Sequence, residues 1–104
     1  GGFFILIICE TMHFLYIIYS AKADKYYTGE SNDVPARIKL HNSHRFLKAF
    51  TKAASDWEIK LIFKCENKTD AVFLERYIKR MKSRKFIQKI IERPEILEEI
   101  LSTR

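Results

Sequence analysis

The chain has 104 residues, of which 47% are hydrophobic and 31% charged, and it carries a net charge of +6. This composition excludes a disordered or fibrous polypeptide and leaves room for one domain with a single modest core. The basic balance, with a pI of about 9.4, suits a polyanionic partner, either nucleic acid or an anionic membrane. The two cysteines, Cys9 and Cys65, form no C-x-x-C pair and lie in no metal-ligand spacing. They read as reduced thiols, which argues against a zinc site and points to a cytoplasmic protein.

Residues 1–11 are expected to be an extension without an assigned role. The apolar run Phe3–Cys9 is far shorter than the roughly 20 residues of a membrane span, and no Lys or Arg precedes it as in a secretory signal. It reads as an extra edge strand, a fragment of an upstream segment or leader sequence, and Met12 would serve equally well as a start. No membrane association is expected.

Phe14–Ser20 (FLYIIYS) is rich in aromatic and β-branched residues and predicts a strand. After the short polar connection Ala21–Asp24, Lys25–Glu30 (KYYTGE) predicts the returning strand of a hairpin. Pairing Ser20 with Lys25 sets Ile18 opposite Tyr27. The two-residue period then places Tyr16 and Tyr27 on one face as diagonal neighbours. Ser31, Asn32 and Asp33 offer N-caps for a helix over Val34–His41, with Pro35 in its first turn. Arg37 and His41, four residues apart, share one face of that helix. His44–Ala54 predicts a second helix or helical loop. The stretch between Val34 and Ser55 contains no acidic residue, while Arg37, Lys39, Arg45, Lys48 and Lys52 are basic.

Trp57–Cys65 (WEIKLIFKC) alternates as a third strand. Thr69 and Asp70 are candidate caps for a helix over Ala71–Met81, with Leu74, Tyr77, Ile78 and Met81 as its apolar stripe. Glu75 falls at the border of that stripe, where a carboxylate can face a cleft. Arg76–Arg93 holds eight basic residues against one acidic residue, Glu92. Phe86, Ile90 and Ile91 give its later part a helical apolar face. Pro94 is expected to end that helix before a short, acidic one over Glu95–Leu101. The plan is α+β, with a small three-stranded sheet flanked by helices.

The ordered set of Tyr16, Tyr27, Arg37, His41 and Glu75 resembles the GIY-YIG nuclease superfamily. It is most similar to short stand-alone members related to the excinuclease C-subunit catalytic domain. Phe14-Leu15-Tyr16 stands at the first tripeptide and Tyr27-Thr28-Gly29 at the second, with ten residues between them. Arg37 follows ten residues after Tyr27, and His41-Asn42 matches the H-N pair of the short members. Glu75 matches the metal-binding glutamate of the family, and KRMKSRKFIQKII matches their basic tail. The resemblance covers about Phe14–Ile91. The first tripeptide lacks its glycine, Thr28 replaces the middle isoleucine, and Glu30 stands where excinuclease-type members carry a lysine.

The resemblance implies a GIY-YIG nuclease-like domain over residues 12–93, a short C-terminal helix over 94–104, and a bacterial origin. It implies a divalent-metal-dependent endonuclease that hydrolyses phosphodiester bonds, with DNA the expected substrate and no small-molecule cofactor. Glu75 would hold one Mg²⁺ or Mn²⁺, since Mg²⁺ accepts one carboxylate and several waters. Arg37 would grip the scissile phosphate with its planar fork. Tyr27 would take the proton of the attacking water, with Tyr16 and His41 assisting, or His41 would itself be the base. Arg37, Lys39, Arg45, Lys79, Arg80, Lys82, Arg84 and Lys85 are candidate nucleic-acid contacts. Two other readings remain at this point: a non-catalytic nucleic-acid module on the same fold, kept open by Glu30, and a small protein whose basic surface meets an acidic partner.

Overall fold

The structure, a computed structural model, describes residues 12–43 and 54–104. Its elements run β1 (His13–Ser20), β2 (Lys25–Ser31), α1 (Val34–Asn42), β3 (Glu58–Cys65), α2 (Lys68–Met81), α3 (Arg84–Glu92) and α4 (Glu95–Ser102). The three strands form one antiparallel sheet in the order β2-β1-β3, flanked by helices as the α+β plan requires.

The apolar run of β1 is explained by its central position, because both of its faces are buried. Leu15 and Ile17 join Leu61 and Cys65 of β3, Ala71, Leu74 and Ile78 of α2, Ile90 of α3 and Leu97 of α4 in one core. Tyr16 and Ile18 turn the other way and pack with Tyr27, Val34, Ala54 and Trp57. Trp57 is therefore a core residue, its indole N–H donating to Ala54 O at 3.2 Å. The hairpin register is the one expected from the sequence, with Ser20 opposite Lys25 and Ile18 opposite Tyr27. A register shift between β1 and β3 falls at Ile17/Ile18, where Leu61 and Ile59 are the successive partners.

The β1–β2 turn is held from a distance. Ser20, fully buried, donates to Asp56 at 2.5 Å and accepts from the Ala23 amide at 2.9 Å. The other Asp56 oxygen accepts from the Lys22 amide at 3.1 Å. These two bonds, Ser20's first, hold the Asp56 carboxyl below its ordinary range. Asp24 closes the turn at φ 53°, a left-handed conformation that aspartate tolerates better than most residues.

Asp33 is the N-cap of α1 and accepts from the Ala36 amide. The α2 helix begins earlier than expected. Its cap is Asn67, whose side chain accepts from the Asp70 amide at 2.8 Å, so Asp70 lies within the first turn. There its charge complements the helix dipole and pairs with Arg104. Lys82, in left-handed geometry at φ 48°, ends α2, and Ser83 immediately caps α3. Pro94 starts α4, as the sequence predicts. The expected helix or helical loop over His44–Ala54 lies outside the described residues, apart from the buried Ala54. No described helix is long and apolar enough to cross a membrane.

Asn42, the last residue of α1, fixes that helix to the start of β3. Its side-chain amide donates to Trp57 O at 3.1 Å and accepts from Trp57 N at 2.7 Å. Asn42→Ala strands both backbone groups and should cost ~1–3 kcal/mol. The check is a fall of several degrees in the thermal midpoint, with Asn42→Asp, which keeps only the acceptor, falling between the two.

Candidate active site

The sheet and α1 bring the two motif tyrosines and the histidine into one cluster. The Tyr16 hydroxyl and His41 Nε2 are hydrogen-bonded at 3.0 Å. The His41 ring lies 5.1 Å from that of Tyr27, tilted by 60°. His41 and Tyr16 are buried, at 0% and 1% exposure, whereas Tyr27 retains 8%. Tyr27 is thus the member of the trio nearest to water.

The reason for a glycine in the second tripeptide is steric. Gly29 pairs directly with Tyr16 across the hairpin. A Cβ at Gly29 would lie 2.5 Å from the Tyr16 hydroxyl oxygen and 2.6 Å from the ring carbon that bears it. The ring is buried and hydrogen-bonded, so it cannot yield cheaply. The other tripeptide departures are quieter. Thr28 is buried opposite Ile17, and Phe14 pairs with Ser31.

Several charged groups act electrostatically on the same phenol. Burial is the largest influence on Tyr16 and pushes its hydroxyl well above the ordinary tyrosine range; Tyr27, Glu75 and Glu30 act in the same direction and Arg37 opposes them. Tyr16 consequently stays protonated at any pH the fold meets in use. Arg37 lies half-buried on the helix that carries His41. Glu75 reaches in from α2, its side chain 19% exposed, and pairs with Lys79 at 3.2 Å. The Lys79 ammonium also sits 5.1 Å from the centre of the Tyr27 ring. Lys79 therefore belongs to the cluster itself. Its four-residue spacing from Glu75 was the available signal. Asn42, which seats the helix behind His41, had no local signal beyond its place next to that histidine.

Glu30, the departure that sets this chain apart, lies beside His13, with 3.1 Å between Oε2 and Nε2. Lys39, Arg80, Lys82 and Lys85 are exposed. Arg84 is exposed but engaged. Its guanidinium donates to the Asp24 carboxylate at 2.6 Å and stacks 5.3 Å from the Tyr26 ring. This contact, chiefly the Arg84 hydrogen bond and then that of Tyr19, holds the Asp24 carboxyl below its ordinary range. Arg45 lies outside the described residues.

No group of three or more His, Cys, Asp or Glu side chains converges among the described residues. Two carboxylates act on the Tyr16 phenol; Glu30 lies against His13, which leaves Glu75 as the candidate donor. One carboxylate fits a hard divalent cation that keeps most of its waters; it does not fit a zinc cage.

Two outcomes follow from this geometry. Gly29→Ala should displace the Tyr16 ring and break its bond to His41, lowering stability by about 1–3 kcal/mol, as expected for core overpacking. The loss of the His41–Tyr16 bond is read from the imidazole NMR resonances. Cys65, buried in the larger core, has its thiol pushed up by burial from 9.0 to about 11. Between those values the folded chain keeps a proton that the unfolded chain has lost, so rising pH favours unfolding. Denaturant midpoints should decline from about pH 9 to pH 11, and Cys65→Ala should make that decline shallower.

A family model described as the GIY-YIG catalytic domain matches residues 12–89. No curated protein and no solved structure matches the chain. The matched span begins just before β1 and ends inside α3, and so takes in both tripeptides, Arg37, His41 and Glu75. The chain belongs to the GIY-YIG catalytic domain family and carries a nuclease-type domain.

Proposed function

We propose that this chain is a divalent-metal-dependent endonuclease that hydrolyses phosphodiester bonds in nucleic acid, with DNA the expected substrate. The observation that carries the reading is the contact cluster of Tyr16, Tyr27 and His41, with Arg37 and Glu75 near enough to act electrostatically on the Tyr16 phenol.

The burial gradient supports a division of roles. Tyr27 is the outermost of the three rings and is the group that meets the attacking water and takes its proton. His41, with no exposed surface, stands behind Tyr27. Tyr16 stays a neutral phenol and holds the imidazole in place through its hydrogen bond. Arg37 binds the scissile phosphate and matters most as charge builds in the transition state. Glu75 is the residue that would hold Mg²⁺ or Mn²⁺. When bound, such a cation supplies neutralisation of phosphate charge and stabilisation of the leaving oxygen. Lys79 balances the Glu75 carboxylate and places a positive group over the Tyr27 ring. Exposed Lys39, Arg80, Lys82 and Lys85 are suited to backbone phosphates, which give affinity without sequence reading.

A specific observation keeps a second reading, the non-catalytic binding module. Glu30 brings a negative charge within influence of Tyr16, where an anion works against a phosphate.

Labelled DNAs and RNAs, single-stranded, duplex and branched, incubated with Mg²⁺, Mn²⁺ or EDTA separate the two readings. Wild type should cut in the presence of metal, with Arg37→Ala and Glu75→Ala each reduced at least ~100-fold in rate. Salt-sensitive binding by wild type, with no cutting in any condition, would remove the nuclease reading and leave the binding module.

A further inference from the structure

Beside Tyr27 a cleft of about 580 Å³ opens between the edge of β2 and the junction of α2 with α3. Its volume is within the roughly 300–1,000 Å³ of small-ligand sites. The lining is mainly apolar. Ile78, Thr28 and Tyr27 are its buried members, Tyr26 and Ile87 are half-buried, and Tyr27 is shared with the catalytic cluster. Exposed Lys79, Lys82 and Arg84 stand at its margin, where Asp24 is the one carboxylate.

Phosphate contacts alone leave such an interior without a purpose. Exposed cations at the margin are enough to hold a backbone, and an apolar, aromatic-walled recess adds nothing to that. A nucleobase supplies the missing match. It is planar, with apolar faces that stack on aromatic rings, and it is tethered to a phosphate that the marginal lysines can meet. A base held in a duplex stack cannot turn into a recess beside the backbone, whereas an unpaired one can.

We propose that this cleft is a base-binding subsite for an unpaired nucleotide next to the scissile phosphate. It takes the base against Ile87 and the Arg84 guanidinium plane, which lies over the Tyr26 ring, with the adjoining phosphates on Lys79 and Lys82. Its place beside the scissile bond rests on the nuclease reading, but its affinity for a base does not. The consequence is a preference for single-stranded, flapped or frayed nucleic acid over intact duplex.

The test is binding by the full chain in EDTA, at one salt concentration. The probes are a short oligothymidylate and an abasic phosphodiester chain of the same length and charge. Wild type should bind the oligothymidylate about 5- to 150-fold more tightly, the equivalent of one base stacked at ~1–3 kcal/mol. Ile87→Phe, which fills the cleft, should remove most of that difference while keeping affinity for the abasic chain. Equal affinities in wild type overturn the proposal. So does an undiminished difference in folded Ile87→Phe, because the bases are then read elsewhere. Should Ile87→Phe fail to fold, Ser83→Phe, at the half-buried rim of the same cleft, takes its place with the same two outcomes. Base-dependent binding by a chain that never cuts keeps the subsite and removes the nuclease reading; metal-dependent cutting without base dependence does the reverse.

Discussion

The site rests on the packing of the Tyr16 ring across Gly29. The pairing of these two residues leaves no space for a side chain on β2. The phenol can therefore lie over the strand and reach His41. Several features depend on that contact. It requires the hairpin register, since a slip of one residue would turn Tyr16 to the opposite face. It requires α1 to hold its last turn close to the sheet, which the paired Asn42–Trp57 hydrogen bonds achieve. It also buries a polar hydroxyl, which is tolerable because that hydroxyl has a partner.

Around this contact, the two faces of β1 divide the work. The face carrying Leu15 and Ile17 holds the larger core, with α2, α3 and α4. The face carrying Tyr16 and Ile18 holds a smaller cluster that doubles as the inner wall of the site. Because β2 is an edge strand of the described sheet, residues of α2 can reach the catalytic cluster past that edge. Glu75 and Lys79, one turn apart, pair with each other while Lys79 faces Tyr27. A nuclease site needs acidic and basic groups close together, and a single helical turn supplies both with little loss of chain entropy.

The junction of α2 and α3 is made without glycine or proline. Lys82 takes the left-handed conformation and Ser83 caps the next helix. A lysine there costs ~1 kcal/mol or more relative to glycine, yet it keeps a cation at the margin of the cleft. Across the cleft, Arg84 ties α3 to the hairpin turn through Asp24, over 60 residues of sequence. That tie draws on a residue otherwise suited to phosphate. The basic surface thus divides into cations spent on structure and cations left exposed.

The sequence by itself determined the order of the described strands and helices and the hairpin register. Two-residue alternation set the hairpin register, because a slip would have turned the buried faces outward. The spacing marked Tyr16, Tyr27 and His41, which meet in the structure, and Pro94 marked the last helix boundary. These are short-range properties of strand and helix periods. The tertiary structure decided what no local period encodes. It showed that Tyr27 is more exposed than His41, that Lys79 leaves the general basic face to stand over Tyr27, that Arg84 is held by Asp24, and that Asn42 seats the helix that carries His41. Each depends on how distant elements pack. Burial, and with it the behaviour of each titrating group, is set by neighbours that only the closed core brings together.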